Sequence, residues 1–202
     1  FDASALVFAL LLSADEKART QQLRELELHI EPPLFNATVR LFPAVQSQER
    51  AVKLPLAARA LPALRQLPAA HYEAFTLAVK LLIESDQEID LFEYALQKLL
   101  LRHLEPHFKN VPPRVVQYYV LKAVLSECAV LLSALAHVGQ GERVKAEQAF
   151  ALGVRELGAA GAELNFLNLE ECNLPQVDAA LDRLAQLTPP LKKQVLNACG
   201  QA

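Results

Sequence analysis

Residues 71–83 read HYEAFTLAVKLLI, and this stretch decides the fold. Phe75, Ala78, Val79, Leu82 and Ile83 recur at steps of three and four, while Glu73, Thr76 and Lys80 fall on the other side. Side chains spaced in this way stack on one face of a 3.6-residue turn, so the stretch forms a helix with one face in a core. A strand would alternate apolar and polar residues, and this run does not.

On the C-terminal side an acidic joint, Glu84-Ser85-Asp86-Gln87-Glu88-Ile89-Asp90, leads into a helix from about 90 to 104. There Leu91, Ala95 and Leu99 stack beside Phe92, Leu96 and Leu100. Asp90 is placed to cap this helix, with Glu93 completing an acidic capping box. Pro106 is expected to end it, leaving His103 at the edge of the core and His107 past the break. Asn110-Val111-Pro112-Pro113 then opens the longest predicted helix, about 114 to 138. Its stripe is Leu121, Val124, Leu125, Cys128, Leu131, Leu132 and Leu135, and Gly139 and Gly141 end it. A helix over 142–158 follows, then GAAGAE at 158–163, which reads either as a loose loop or as a small-residue contact. Two short helices close the chain, one carrying Val177, Ala180, Leu181 and Leu184. The other is opened by Thr188-Pro189-Pro190 and carries Leu191, Val195 and Leu196.

On the N-terminal side, ASALVFALLL at 3–12 is apolar nearly all round and predicts a buried helix, followed by a polar helical segment to about Leu28. Pro32-Pro33 opens another helix running to about Leu41, where Pro43 is expected to stop it. Residues 44–53 read as a surface connection, and 55–66 as a helix kinked at Pro62 with a break at Pro68.

The whole is an all-α, irregular multi-helix bundle of about nine or ten helices. It reads as a single helical domain over 1–202, with a sub-boundary near 106–113 as the alternative. Composition agrees, since 52% of the 202 residues are hydrophobic and only 6 are Gly. A chain of this length buries roughly 70% of its unfolded surface. No repeat of 30 to 45 residues is visible, which disfavours a regular solenoid.

Charge and motifs restrict the function. Twenty basic and 23 acidic residues are well mixed, giving a net charge of −3, whereas nucleic acid would need a concentrated basic face. A spanning helix needs about 20 nearly uncharged residues. The longest candidate, 120–138, is interrupted by Lys122, Glu127 and His137, so no direct membrane span is expected. Cys128, Cys172 and Cys199 lack CxxC spacing and read as reduced, packed thiols. The opening Phe1-Asp2-Ala3-Ser4, with no Met anywhere, reads as a piece of a longer protein.

Catalytic machinery is not visible. None of His29, His71, His103, His107 and His137 is followed by Glu, so no HExxH zinc motif exists, and none has Glu three residues before it, which excludes a di-iron bundle. Gly139-Gln140-Gly141 is a lone GxG that reads as a helix cap, and no GxSxG elbow occurs. The remaining metal candidates are the carboxylates Asp86, Glu88, Asp90 and Glu93 and the His103/His107 pair, spaced by four but with Pro106 between them. Hard cations seek such oxygen ligands, yet the spacing fits no EF-hand, and acids are common at helix starts.

Four stretches carry a family likeness: ASALVFALLL at 3–12, KLPLAARALPALRQL at 53–67, DLFEYALQKLLLRHL at 90–104 and LDRLAQLTPPLKKQVLNAC at 181–199. They resemble the C-terminal soluble extension of bacterial HtpX-type integral-membrane zinc metallopeptidases. The resemblance implies a non-catalytic tail on the cytoplasmic face of the inner membrane. Its partner would be its own membrane-embedded peptidase domain or another protein, and the zinc site would lie upstream. No cofactor is implied for this chain itself. Residues 72–104, and LLIESDQEIDLFEYALQKLL at 81–100 above all, also resemble TerB-like helical domains, which would make the chain a freestanding divalent-cation-binding module. Asp86, Ile89, Asp90 and Glu93 fit that pattern, but Gln87 stands where the family has Gly.

Overall fold

The computed structural model describes residues 2–85, 91–110 and 115–202. Among them the chain is all-helical, with ten α-helices, two short 3-10 turns and no strand. It divides into two compact units, Phe1–Pro112 and Pro113–Ala202.

The first unit is built around α1 (Asp2–Leu11), whose Ala5, Val7, Phe8, Ala9, Leu10 and Leu11 are all buried. A helix apolar all round must be enclosed, and α3 (Pro32–Gln46), α4 (Arg50–Leu64) and α5 (Ala69–Ile83) pack against it. The α5 stripe lies in the core as its period requires: Phe75, Ala78, Val79, Leu82 and Ile83 are all buried. Helix α2 (Glu16–His29), capped by Asp15 accepting from the Ala18 N–H at 2.8 Å, lies against α5. Helix α6 (Leu91–Phe108) lies against α4 and α5 and buries Leu96, Leu100 and Leu104.

One polar side chain ties this unit together. Gln22 on α2 is 1% exposed. Its amide donates to the Leu11 carbonyl at 3.2 Å and the Leu82 carbonyl at 3.1 Å, while its oxygen accepts from the Ser13 N–H at 2.7 Å. It thereby bonds backbone groups at the ends of α1 and α5, where the Leu82 carbonyl also accepts from the Ser85 hydroxyl at 2.8 Å.

Several expectations drawn from prolines fail here. Pro43 does not stop α3, which runs to Gln46, and α4 begins at Arg50 and so takes in Pro55, while Pro62 lies inside it as expected. Residues 44–53 are therefore mostly helical, the connection between helices shrinking to 47–49. Pro106 does not end α6, so His107 is helical and lies one turn from His103. An interior proline costs about 3 kcal/mol. Each of these helices offsets it with apolar burial near the proline: Val45 in α3, Leu61 and Leu64 in α4, and Leu104 with the half-buried Phe108 in α6. The Asp90 cap falls outside the described residues.

The second unit is centred on α7 (Leu125–Gly139), entered through a 3-10 turn at Leu121–Val124. Leu121, Val124, Cys128, Leu132 and Ala136 form its buried face, against α8 (Arg143–Glu156), α9 (Leu174–Leu184) and α10 (Pro189–Cys199). The predicted helix over 114–138 thus starts too early. Residues 115–120 are not helical; Tyr118 bridges to Leu187, with Gln117 and Tyr118 donating to the Gln186 carbonyl and Thr188 donating to Tyr118. By length and mean hydropathy alone, Leu121–Gly139 is long and apolar enough to cross a membrane; in this fold its buried face belongs to the unit's own core.

Small residues set the close approaches. A Cβ on Gly153 would lie 2.9 Å from the Ala198 carbonyl oxygen and 2.9 Å from the Ala202 Cβ, so glycine lets α8 meet α10. GAAGAE forms the second 3-10 turn, where a Cβ on Gly161 would lie 2.5 Å from the Val154 carbonyl oxygen, which makes this stretch a small-residue contact. Gly158 has φ +65, a left-handed conformation that glycine adopts without steric cost.

Candidate functional site

Among the described residues, the metal candidates Glu93, His103 and His107 do not come together. Asp86, Glu88 and Asp90 lie outside the described residues. Glu93 is half-buried in the first turn of α6. His103 is exposed rather than at the core edge, and its Nδ1 accepts a long 3.5 Å contact from the Arg65 guanidinium, which also donates to the His103 carbonyl at 3.3 Å. The His107 ring meets Phe108 edge-on at 5.1 Å, and Phe108 in turn stacks on Tyr72 at 3.9 Å. The helical spacing of the two histidines is right for chelation, but their rings are engaged by different neighbours. Among the described residues no group of three or more His, Cys, Asp or Glu is placed to hold a metal ion.

All three cysteines are free and lie in the second unit. Cys128 is fully buried on α7; burial first, then the nearby Cys199 and Glu127, push its thiol up to about 12. Burial likewise raises Cys199 to about 11. It also raises Cys172, whose thiol donates to the Asn168 carbonyl at 3.1 Å. A nucleophile needs the thiolate, and these environments favour the thiol.

Polar contacts in this unit are structural. Glu127 is 10% exposed, lies 3.0 Å from Arg183 and accepts from the Ser126 hydroxyl at 2.9 Å. Ser133 accepts from the Leu167 N–H at 3.0 Å, and His137 Nε2 donates to the Leu167 carbonyl at 2.9 Å, so α7 holds the extended segment after the second 3-10 turn.

Among the described residues of the first unit, two concavities stand out. The larger, about 360 Å³, runs between α5 and α6 and is walled by Phe75, Val79, Leu100 and Leu104. Leu77 and Leu101, 49% and 36% exposed, also line it, and Glu73, Lys80 and Gln97 supply most of its polar groups. Tyr72 stands in its lining with a buried hydroxyl that has no hydrogen-bond partner among the described residues, and burial raises its pKa. The smaller, about 180 Å³, is enclosed by α1, the α2–α3 junction and the start of α5. Neither was visible as a motif, because each collects residues far apart in sequence. The exposed leucines of α5 and α6, off their buried stripes, were the only local sign.

Compared with known proteins, the chain matches no family, no characterised protein and no solved structure.

Proposed function

We propose that this chain is a non-catalytic helical domain of a membrane-bound zinc metalloendopeptidase of the HtpX type, acting by protein interaction on the cytoplasmic face of the bacterial inner membrane. In this reading zinc and the catalytic residues belong to the upstream part of the parent protein. The domain binds that membrane-embedded part and stabilises or regulates it.

The α5/α6 groove is the observation that carries the reading. It is open and apolar, with two leucines left in water and charge at its margin. An amphipathic helix lays its apolar face into such a groove, anchored at i, i+3 or i+4, and i+7. Exposed apolar surface of this kind marks interaction sites on helical proteins. The sequence likeness supplies the identity of the partner.

The test is titration of the chain into a detergent-solubilised HtpX-type peptidase lacking its own extension. Saturable binding is expected, weakened about tenfold or more in the double variant Leu77→Glu/Leu101→Glu, because both carboxylates would be desolvated in the interface. Equal binding by wild type and variant, or zinc-dependent cleavage of protein substrates by the chain alone, would overturn the reading. Calorimetric titration with calcium, magnesium and zinc distinguishes it from a cation-binding module, for which saturation well below millimolar is required.

A further inference from the structure

The outer side of α5 carries a charge pattern that the interaction reading does not use. Glu73, Leu77 and Lys80 are all exposed and follow one another at steps of four and three, so they form one ridge along a margin of the α5/α6 groove. Leu77 thus stands between two opposite charges seven residues apart, about 10.5 Å along the helix axis. Lys80 reaches Glu84 at 3.8 Å, but both side chains are more than half exposed, and a pair of that kind contributes little. Lys80 is therefore free to take a better partner. Ala70 and Ala74, exposed on the same side, are small enough to let a second helix come close.

Such a ridge is complementary to itself in one orientation only. When a second α5 crosses it in the antiparallel sense, about a two-fold axis between Thr76 and Leu77, each Glu73 meets the other copy's Lys80. The two Leu77 side chains then meet at the centre. In the parallel sense Glu73 would face Glu73 and Lys80 would face Lys80, and like charges opposed across an interface are costly. A two-fold contact pairs residue i with j and j with i, which is the relation these two positions satisfy. Leu101, on the α6 margin of the groove, adds exposed apolar surface beside the crossing.

We propose that the α5/α6 face binds a second copy of this chain, as an antiparallel two-fold dimer held by two Glu73–Lys80 pairs around Leu77. The proposal rests on the reading above that this face is a docking surface, and it adds a second occupant. Self-association covers the groove that the peptidase would use, so dimer and peptidase complex exclude one another. A face of two helices is at the small end of specific interfaces, which bury about 800 Å² per partner. A weak dimer, with a Kd of about 100 µM, is the expected result.

The experiment is sedimentation equilibrium of the full chain from about 10 to 1,000 µM, a range that brackets that Kd. Wild type should show a reversible monomer–dimer equilibrium. Glu73→Lys and Lys80→Glu each set like charges across the axis and should weaken it about tenfold. The double swap Glu73→Lys/Lys80→Glu restores the pairing and should return the Kd to within about twofold of wild type. An equimolar mixture of the two single variants should form heterodimer where neither alone self-associates. Both positions are exposed, so melting temperatures should stay at the wild-type value. A chain monomeric throughout the range, single variants that dimerise like wild type, or a double swap and a mixture that recover nothing would each overturn the proposal. Peptidase binding is read separately by the titration described above. A monomeric chain that binds the peptidase overturns the dimer alone, whereas charge-swap dimerisation without peptidase binding overturns the peptidase as partner and leaves the dimer standing.

Discussion

The two units satisfy their buried polar backbone by different chemistry. In Phe1–Pro112 a neutral side chain, Gln22, bonds the ends of α1 and α5 from within the core. In Pro113–Ala202 Ser133 and His137 bond the Leu167 backbone, and the nearly buried Glu127 pairs with the Arg183 side chain. All three thiols also belong to this second unit. A neutral amide gives the first unit a core tie that does not titrate, whereas the second places ionisable groups at its centre and rim. The difference predicts that the two bundles respond differently to pH.

The largest effect is expected at the neutral tie. Gln22→Leu keeps the volume but strands the Ser13 N–H and the Leu11 carbonyl, while the Leu82 carbonyl keeps the Ser85 hydroxyl at 2.8 Å, at a cost of about 3 kcal/mol. Urea denaturation should show that loss, and hydrogen exchange should locate it in peptides from residues 2–85. If the variant were as stable as wild type, the amide would not be the tie described. Next comes Gly153→Ala, where the new methyl meets the Ala198 carbonyl at 2.9 Å and the α8–α10 contact must open. Overpacking costs about 1–3 kcal/mol, against a helix-propensity gain of about 1 kcal/mol, so a net loss of about 1 kcal/mol is expected in the melting of the second unit.

Alkaline pH provides the subtlest separation. The Cys128 thiol is raised from its ordinary 9.0 to about 12, so its contribution is complete below pH 9 and is lost as pH rises toward 12. The unfolded chain gives up that proton first, and stability falls by up to about 1.4 kcal/mol per pH unit. Tyr72 in the first unit is raised above 10.0, so its own loss begins only beyond pH 10. Between pH 9 and 10, urea midpoints of wild type should therefore fall faster than those of Cys128→Ala. Parallel slopes would remove the buried thiol as the cause.

Helix existence was legible wherever the apolar period was strong. The α5 stripe of Phe75, Ala78, Val79, Leu82 and Ile83 needed no tertiary information. Boundaries set by proline were misread at Pro43 and Pro106, because burial of residues beyond each proline offsets its local cost, and that burial depends on partners distant in sequence. The start of α7 was misread for another reason. Val115, Val116, Tyr118, Tyr119 and Val120 are β-branched or aromatic and favour extended backbone, a signal outweighed by the helical stripe that follows. The candidate sites were barely legible. Leu77 and Leu101 carry no motif, and their meaning comes from which neighbours leave them uncovered.

Hydrogen exchange on the α5/α6 groove tests the interaction role most directly. With a saturating HtpX-type peptidase lacking its extension, backbone amides of residues 72–80 and 97–104 should gain protection that Leu77→Glu/Leu101→Glu removes. Protection confined to other segments, or none at all under conditions where the peptidase is folded, would contradict it.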